Sequence, residues 1–328
     1  MEQVAEPAIR TQLLDRRRRL EDAIGARREN TGLQDLLREV DAALERVDDR
    51  SYGICEACHE PIEPEQLRIN PLIRYCLPHL TADEQRALEQ DLDLASHIQR
   101  ELLPKQNLRQ DGWEIAYHYQ PLGPVSGDHC DVIPQEADGA GFFFVLGDVS
   151  GKGIAASMLT AHLRAIFRTL ASGGLPLNRQ VARANRIFCE STMSEHFATM
   201  VFGKADAAGE MEIVNAGHCP PLWIHGGDAT PIEASGLPLG IFCSGEYPGK
   251  TIQLGPGDTL LLYTDGFSEA ANPSDEEYGM ERLSRVAMSH AARDPQALIG
   301  TCLDHLGAHL GGAPKQDDLT MMAIRRSA

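Results

Sequence analysis

The sequence contains no apolar run long enough to cross a lipid bilayer. Its longest runs, "FFFVL" at 142–146 and "TLLLYT" at 259–264, are far shorter than the roughly 18 residues that a spanning helix needs. The chain also opens without the charged, apolar and small residues of a secretory signal. We therefore expect a cytoplasmic protein that does not enter the membrane.

The sequence also lacks an excess of basic over acidic residues. The chain has 30 lysines and arginines against 48 aspartates and glutamates, which gives a formal net charge of −18. Nucleic acids and anionic membranes attract basic surfaces, so this balance argues against general binding to either of them.

The stretch "FFFVLGDVSGKGIAAS", residues 142–157, lacks the spacing of a nucleotide-binding P-loop. A P-loop has four residues between its glycines and a Ser or Thr after its lysine. Here three residues separate the glycines of "GDVSG", and a glycine follows Lys152. Asp148 would also lie against the phosphates, and like charges repel at close range. A phosphate could approach this loop only with a cation in between.

Further carboxylates that could hold such a cation lie at the ends of β-like apolar runs. They are Asp128, Asp148, Asp265 and Asp317. Each one alone is more often a turn residue or a helix cap, so the prediction depends on their joint occurrence. Strand ends can meet at one rim of a sheet, where four carboxylates would repel one another without cations. Ligation by oxygen alone suits hard divalent ions, so we predict magnesium or manganese.

A second set of ligands occurs earlier, in the pattern C-x2-C-x17-C-x2-H. Its members are Cys55, Cys58, Cys76 and His79. Two short chelating pairs separated by a loop can form a tetrahedron around zinc, and all four positions are filled, which indicates a structural ion. In a cytosolic protein this pattern favours zinc over disulfides. The other five cysteines are expected to be buried free thiols.

The pattern of apolar and polar residues changes along the chain. Apolar positions at helical spacing predict two amphipathic helices before the cysteine pattern and one helix after it, which ends near Pro104. We predict four regions: a helical hairpin at 1–50, a zinc finger at 51–80, a linker helix at 81–105 and a large domain at 106–328.

Within the large domain, short β-like runs are separated by turns and by helical stretches. The runs are "WEIAYHY", "GFFFVLGD", "ATMVFGKAD", "MEIVNAG", "PLWIHG", "KTIQL", "DTLLLYTD" and "LTMMAI". The helical stretches are "GIAASMLTAHLRAIFRTLAS", "PLNRQVARANRIFCEST", "ERLSRVAMSHAA" and "PQALIGTCLDHLGAHL". This alternation predicts a sheet core flanked by helices.

The hairpin with "YGICEAC", "RINP" and "RYCLPH" resembles the DksA/TraR zinc-finger family over residues 8–80. The fourth ligand departs from the family pattern, since His79 replaces a cysteine. Members that act on RNA polymerase carry an acidic pair at the hairpin tip, where this chain has Arg27, Arg28 and Glu29. The departure weakens the case for a polymerase partner.

Seven strings of residues 92–326 resemble the PPM metal-dependent serine/threonine phosphatases, in the bacterial branch of SpoIIE and RsbU. They are "VSGDHCD", "GDVSGKG", "HFATMVFG", "NAGHCPPL", "GLPLG", "LLLYTDGFSEA" and "DDLTMMAI". The resemblance implies an α+β fold, an α-β-β-α sandwich of two antiparallel sheets flanked by helix pairs. It also implies a site for two Mn²⁺ or Mg²⁺ ions, in addition to the one structural Zn²⁺.

The same resemblance implies a role for each acidic residue. Asp148 would bridge the two ions, and the Val149 carbonyl, Asp265 and Asp317 would complete the first one. Asp128 would serve the second ion, directly or through a water. Asp318, next to Asp317, is a weaker candidate ligand. The catalytic pair is thus Asp148 and Asp265, acting through a water that the ions activate.

The group that protonates the leaving oxygen is unassigned. Where eukaryotic-type members have a histidine two residues after the bridging aspartate, this chain has Ser150. His218 could act as the acid or could hold a tight turn. Lys152 could bind phosphate or could solvate the start of a helix.

The resemblance implies a phosphatase for phosphoserine or phosphothreonine on a STAS-type anti-sigma-factor antagonist. We expect the hairpin and linker helix to form a homodimer and to regulate the phosphatase domain. Two alternatives remain: an inactive phosphatase-fold scaffold, and a transcription regulator that binds RNA polymerase through its zinc module.

Overall fold

A computed structural model describes residues 5–26, 31–79, 82–135, 141–193 and 195–327. The hairpin tip with Arg27, Arg28 and Glu29 lies outside these residues. The chain divides into two compact units, Met1–Gln90 and Asp91–Ala328. The finer boundaries that the sequence predicts at 50, 80 and 105 stay predictions.

The first unit begins with the predicted helical hairpin, formed by α1 (Ala5–Ala26) and α2 (Thr31–Asp48). The two helices share a small core whose buried members are Leu13, Leu20, Val40, Ala43, Leu44 and Val47. A short helix, α3 (Pro64–Ile69), and a 3₁₀ turn at Leu77–His79 follow within the cysteine-containing segment. The next helix is α4 (Ala82–Glu101).

The second unit contains eleven strands among the described residues. They are β1 (Leu108–Gln110), β2 (Trp113–Gln120), β3 (Asp128–Pro134), β4 (Gly141–Val149), β5 (Ala198–Asp206), β6 (Glu210–Ala216), β7 (Leu222–His225), β8 (Asp228–Pro231), β9 (Lys250–Gln253), β10 (Thr259–Tyr263) and β11 (Leu319–Arg326). Its helices after α4 are α5 (Gly153–Ala171), α6 (Leu177–Ser191), α7 (Asp265–Ser268), α8 (Met280–Ser289) and α9 (Pro295–Leu310).

The strands form two sheets in which every pairing is antiparallel. One sheet has the order β1-β2-β11-β10-β7-β8, and the other has the order β3-β4-β5-β6-β9. A large apolar cluster contains side chains from both sheets. The pair α5 and α6 covers the five-stranded sheet, and α8 and α9 cover the six-stranded one. The predicted α-β-β-α sandwich is confirmed.

The apolar run of β4 is explained by burial on both of its faces. Phe142, Phe144 and Leu146 pack in the cluster between the two sheets. Phe143 and Val145 point the other way and pack with α5 and α6. Successive side chains of a strand alternate between faces, so a strand covered on both sides is apolar throughout.

The strand β3 is absent from the sequence-based prediction because its sequence, "DHCDVIP", is rich in polar residues. Asp131 is nevertheless completely buried. Its carboxylate accepts from Arg168 Nε at 2.6 Å and Nη2 at 2.8 Å, and Arg164 Nε lies 3.3 Å away. A buried charge is tolerated when it is paired and hydrogen-bonded in this way.

None of the described helices combines the length and the apolar character that spanning a membrane requires.

Candidate active site and zinc centre

Asp128 and Asp148 lie opposite each other on adjacent strands. Asp128 is the first residue of β3 and Asp148 is the second-last of β4, and they are register partners in the antiparallel pair. A Cβ atom on Gly127 would lie 2.9 Å from the Val149 carbonyl oxygen and 3.1 Å from Asp148 Oδ1. Position 127 therefore requires glycine if the chain is to pass this close to the carboxylate.

The Asp128 carboxylate is held by two hydroxyl groups that belong to the other sheet. Thr264, which follows β10, donates to Asp128 Oδ2 at 3.1 Å, and Thr320 of β11 donates to the same oxygen. The Thr320 N–H donates in turn to Thr264 Oγ1 at 3.1 Å. Asp128 thus joins the rims of the two sheets. Sequence reasoning missed both threonines, although each lies within three residues of a predicted aspartate.

Asp265 and Asp317 come from neighbouring turns on the six-stranded sheet. Asp265 begins α7 directly after β10, and Asp317 lies two residues before β11. A Cβ on Gly266 would overlap the Asp318 carbonyl oxygen, so only glycine allows these two turns to approach. The sheet topology therefore brings two sequence-distant carboxylates to one rim.

Lys152 lies at this rim and is paired with Asp317. Its Nζ donates to Asp317 Oδ2 at 3.0 Å and to the Gln316 carbonyl at 3.1 Å. The side chain of Lys152 is 64% exposed, so it can leave this position without exposing a core. Lys152 therefore places an exposed positive charge beside the carboxylates.

Asp318 uses both carboxylate oxygens to hold the loop that precedes Asp128. Oδ1 accepts from the Leu122 N–H at 2.7 Å, and Oδ2 accepts from the Ser126 hydroxyl at 2.7 Å and the Gly127 N–H at 2.9 Å. The Gln99 side chain of α4 pairs with the Ser126 backbone in both directions, at 2.7 and 3.0 Å. Asp318 and Gln99 thus position the loop that presents Asp128.

Burial and mutual repulsion raise the pKa values of Asp128, Asp148 and Asp265. Burial raises the pKa of Asp148 to about 7, and the charges of Asp265, Asp317 and Asp318 act in the same direction. Burial and the charge of Asp148 raise the pKa of Asp128 well above its ordinary range. The pKa of Asp265 is raised by burial and by Asp317. The ionised forms are therefore unfavourable unless a cation is bound.

The acidic character extends into a neighbouring cavity of about 260 Å³. Besides Asp265 and Asp317, it is lined by Glu269, Asp275 and Glu277. Burial raises the pKa of Glu269, and the charge of Asp265 adds to this effect. A phosphate ester would be repelled from such a cavity unless cations screened its walls.

The donor set fits hard divalent ions, since it consists of carboxylate and carbonyl oxygens. Within the described part of the chain, no three of these carboxylates have oxygens all within 4.8 Å of one another. The aspartates lie at one rim of the sandwich. Their oxygens are nevertheless spaced more widely than the ligands of a single ion.

Ser150, at the position of the absent histidine, and His218, the candidate acid, are both hydrogen-bonded within the protein. Ser150 Oγ accepts from the Phe197 N–H at 2.9 Å. The His218 Nδ1 shares a hydrogen bond with the Thr199 hydroxyl at 2.8 Å, and the His218 N–H donates to Asn215 Oδ1 at 2.8 Å. Burial lowers the pKa of His218 to about 4. The His218 imidazole is therefore engaged with Thr199, and the Asn215 side chain holds the turn after β6 through the His218 backbone. The leaving-group acid stays unassigned.

The four predicted zinc ligands come together in the first unit, where their ligand atoms all lie within 4.8 Å of one another. Cys58 and Cys76 have their sulfur atoms 3.7 Å apart, and Cys76 Sγ lies 3.1 Å from His79 Nδ1. Burial raises the pKa of Cys76 to about 12, and the neighbouring thiols add to this effect, which a bound cation would reverse. Three thiols and an imidazole fit a structural zinc ion. His59 is exposed and outside this group.

Comparison with models of protein families gives one match in each of the two units. The family model for stage II sporulation protein E (SpoIIE) matches residues 138–327. The model for the prokaryotic DksA/TraR C4-type zinc finger matches residues 50–78 and so ends just before His79.

Two relatives and one solved structure illustrate the similarity. Protein IcfG of Synechocystis sp. is 25% identical over 72% of this chain. Phosphoserine phosphatase RsbU of Bacillus subtilis is 24% identical over 74% of this chain. A crystal structure of the RsbU and RsbW domains of Rv1364c from Mycobacterium tuberculosis superposes with a TM-score of 0.57 and 30% identity over 67% of this chain.

The matched proteins extend beyond the shared region to different degrees. The alignment spans 42% of IcfG, 72% of RsbU and 62% of the Rv1364c chain. The similarity therefore concerns the phosphatase fold and not the whole of every relative.

The first prediction concerns the zinc centre. Cys76→Ser replaces a thiolate with a poor zinc ligand, so we expect the purified full-length protein to lose its zinc. His59→Ala, which changes an exposed histidine outside the ligand group, should retain about one zinc per chain. Elemental analysis by mass spectrometry measures both. Equal zinc content in the two variants would contradict the assignment.

The second prediction concerns pH in the absence of added Mg²⁺ or Mn²⁺. The pKa of Asp148 is about 7 in the folded protein and near 3.8 when unperturbed. The folded state therefore holds a proton that the unfolded state releases, and stability is lost as the pH rises from about 4 to 7. The slope for one such group approaches about 1.4 kcal/mol per pH unit.

Urea unfolding at pH 5.5 and 7.0 measures this slope through Trp113 and Trp223, which both lie in the second unit. The wild-type protein should be less stable at the higher pH. In Asp148→Asn the loss should be smaller, because the group no longer titrates. An unchanged slope in Asp148→Asn would contradict the prediction.

Proposed function

This chain belongs to the SpoIIE family, and we propose that it is a metal-dependent protein serine/threonine phosphatase. The family model covers more than half of the chain, and RsbU is named a phosphoserine phosphatase. The observation that carries the proposal is the rim where buried carboxylates have raised pKa values, beside an acidic cavity. That arrangement is stable in its ionised form only with bound cations.

We assign the ligands of two Mg²⁺ or Mn²⁺ ions to Asp128, Asp148, Asp265, Asp317 and the Val149 carbonyl. When bound, such a pair supplies a water of lowered pKa and neutralises charge on the phosphoryl oxygens. Asp148, opposite Asp128 and electrostatically coupled to Asp265 and Asp317, is the residue suited to contact both ions.

The remaining residues of the site position these ligands. Thr264 and Thr320 hold Asp128 with their hydroxyl groups, which leaves its second oxygen for a cation. Gly127 and Gly266 allow the backbone to approach the carboxylates. Lys152, beside Asp317, would be placed to donate a hydrogen bond to a phosphoryl oxygen.

The proposed substrate is a phosphoserine or phosphothreonine on a regulatory protein. Similarity to RsbU and to a structure that joins an RsbU domain to an RsbW domain supports a partner from sigma-factor regulation. We propose a phosphorylated STAS-type anti-sigma-factor antagonist. The open acidic cavity suits a phosphorylated side chain presented on a protein surface.

The N-terminal region is proposed to dimerise the chain and to regulate the phosphatase domain. The linker helix α4 exposes three large apolar side chains: Leu88 is 37% exposed, Leu94 57% and Ile98 52%. Exposed apolar positions along one helix are buried when it pairs with a second copy. Gln99 of the same helix holds the loop that precedes Asp128. A displacement of α4 would therefore also displace the loop that presents Asp128.

The third prediction tests catalysis with p-nitrophenyl phosphate in Mn²⁺ or Mg²⁺. Asp148→Asn removes the charge that faces both proposed ions, so kcat/KM should fall about 100-fold or more. Asp304→Asn makes the same chemical change at an exposed position of α9 and should leave the rate unchanged.

Activity that is independent of added metal and of Asp148 would overturn the proposed reaction. Absence of activity in the wild-type protein, with both metals supplied and with a phosphorylated STAS partner, would favour the inactive scaffold.

The fourth prediction tests dimerisation by sedimentation velocity. Leu94→Glu replaces one of the exposed apolar side chains of α4 with a charged one and should convert the dimer into a monomer. Gln85→Glu adds the same charge at an exposed polar position of α4 and should remain dimeric. A wild-type monomer, or a dimer in which Leu94→Glu has no effect, would refute this part of the proposal.

A further inference from the structure

A cavity of about 180 Å³ lies within the second unit between α4, α5 and β3. Its walls include Ile98 and Leu102 of α4 and Met158 of α5, so much of its lining is apolar. Cavities of about 150 Å³ admit a molecule the size of benzene. The space therefore suits an occupant of roughly six to ten non-hydrogen atoms.

Three polar side chains also line this cavity, and each has a buried atom without a hydrogen-bond partner. The atoms are His129 Nε2, the Tyr119 hydroxyl oxygen and Arg164 Nε. His129 is only 3% exposed, so bulk water does not satisfy its ring nitrogen. Buried polar atoms are nearly always paired, and an unpaired group indicates a missing partner. Three such atoms around one cavity indicate that the partner is a ligand.

The charges around the cavity favour an anion. Arg168 donates to both oxygens of Asp131, at 2.6 and 2.8 Å, and so satisfies most of that carboxylate. Arg164 Nε lies 3.3 Å from one of the same oxygens, without the geometry of a hydrogen bond. On the α5 side of β3, two guanidinium groups thus share the Asp131 carboxylate, which leaves one positive charge in excess there. Asp128 lies on the opposite face of the strand, where its carboxylate bonds Thr264 and Thr320. A monoanion would balance the excess positive charge.

We propose that this cavity binds a small monocarboxylate with an apolar ring or branched body. The carboxylate accepts from Arg164, from His129 Nε2 and from the Tyr119 hydroxyl, and the apolar body packs against Ile98, Leu102 and Met158. This site goes beyond the proposed phosphatase reaction and does not depend on it. Its wall includes Asp128, so an occupant also contacts the strand that presents that carboxylate.

Benzoate is the probe, because it combines a ring with one carboxylate. Full-length zinc-loaded protein is titrated in the absence of Mg²⁺ and Mn²⁺, so that carboxylate binding to those ions does not contribute. Saturation-transfer NMR and calorimetry should give saturable binding with a Kd on the order of 0.1–1 mM. Benzyl alcohol, which lacks the charge, and acetate, which lacks the ring, should each bind at least about tenfold more weakly.

Two kinds of variant locate the binding. Arg164→Met keeps the aliphatic stem and leaves Arg168 to pair with Asp131, and it should abolish benzoate binding. Met158 is 68% exposed, so its substitution does not disturb the core. Met158→Glu should weaken binding of benzoate at least fivefold by repulsion, about 1 kcal/mol, whereas Met158→Lys should not weaken it.

The proposal is supported if benzoate binds saturably and more tightly than benzyl alcohol and acetate, and if Arg164→Met and Met158→Glu weaken its binding. No saturable binding of benzoate up to about 10 mM would show that the cavity holds only water, and would overturn the proposal. Equal binding of benzoate and benzyl alcohol, or binding that Arg164→Met and Met158→Glu leave unchanged, would overturn it as well.

Discussion

The repulsion among buried carboxylates at one rim of the sandwich is the constraint on which the site depends. Asp128 and Asp148 lie opposite each other across two strands, and the negative charges around Asp148 help to raise its pKa to about 7. A fold would not retain such a group for stability, because its ionised form opposes folding at neutral pH. Divalent cations turn the same arrangement into an attractive one, and a phosphate ester then has a counter-charge to bind.

The rest of the fold holds these carboxylates in place against their repulsion. Two antiparallel sheets pack face to face, and Thr264 and Thr320 reach from one sheet to Asp128 on the other. Asp318 and Gln99 fix the loop before Asp128, so the Asp318 carboxylate is occupied with backbone contacts. Asp128 is thus held by neutral hydroxyl groups, which do not compete with a cation for charge, whereas Asp317 is paired with the Lys152 ammonium group.

Much of this arrangement could be predicted from the sequence, because the strongest signals are local. The apolar runs before Asp148 and Asp265 predicted β4 and β10, and the cysteine spacing predicted the zinc ligands, whose atoms come together. The strand β3 was missed because its polar Asp131 is buried with arginines from α5, which is a tertiary contact that no local pattern reveals. The roles of Thr264, Thr320 and Gln99 depend on neighbours more than 25 residues away in the sequence. The ligand assignments themselves follow from family resemblance and stay predictions.

The central claim is that the aspartate rim is a cation site, and calorimetric titration of Mn²⁺ into the zinc-loaded protein tests it most directly. The account predicts two Mn²⁺ ions per chain, with proton release at pH 6 because Asp148, whose pKa is about 7, gives up its proton on binding. Asp148→Asn should lose at least one of the two ions and part of the proton release. A wild-type protein that binds no Mn²⁺ at millimolar concentration, or an Asp148→Asn variant with unchanged stoichiometry, would contradict the account.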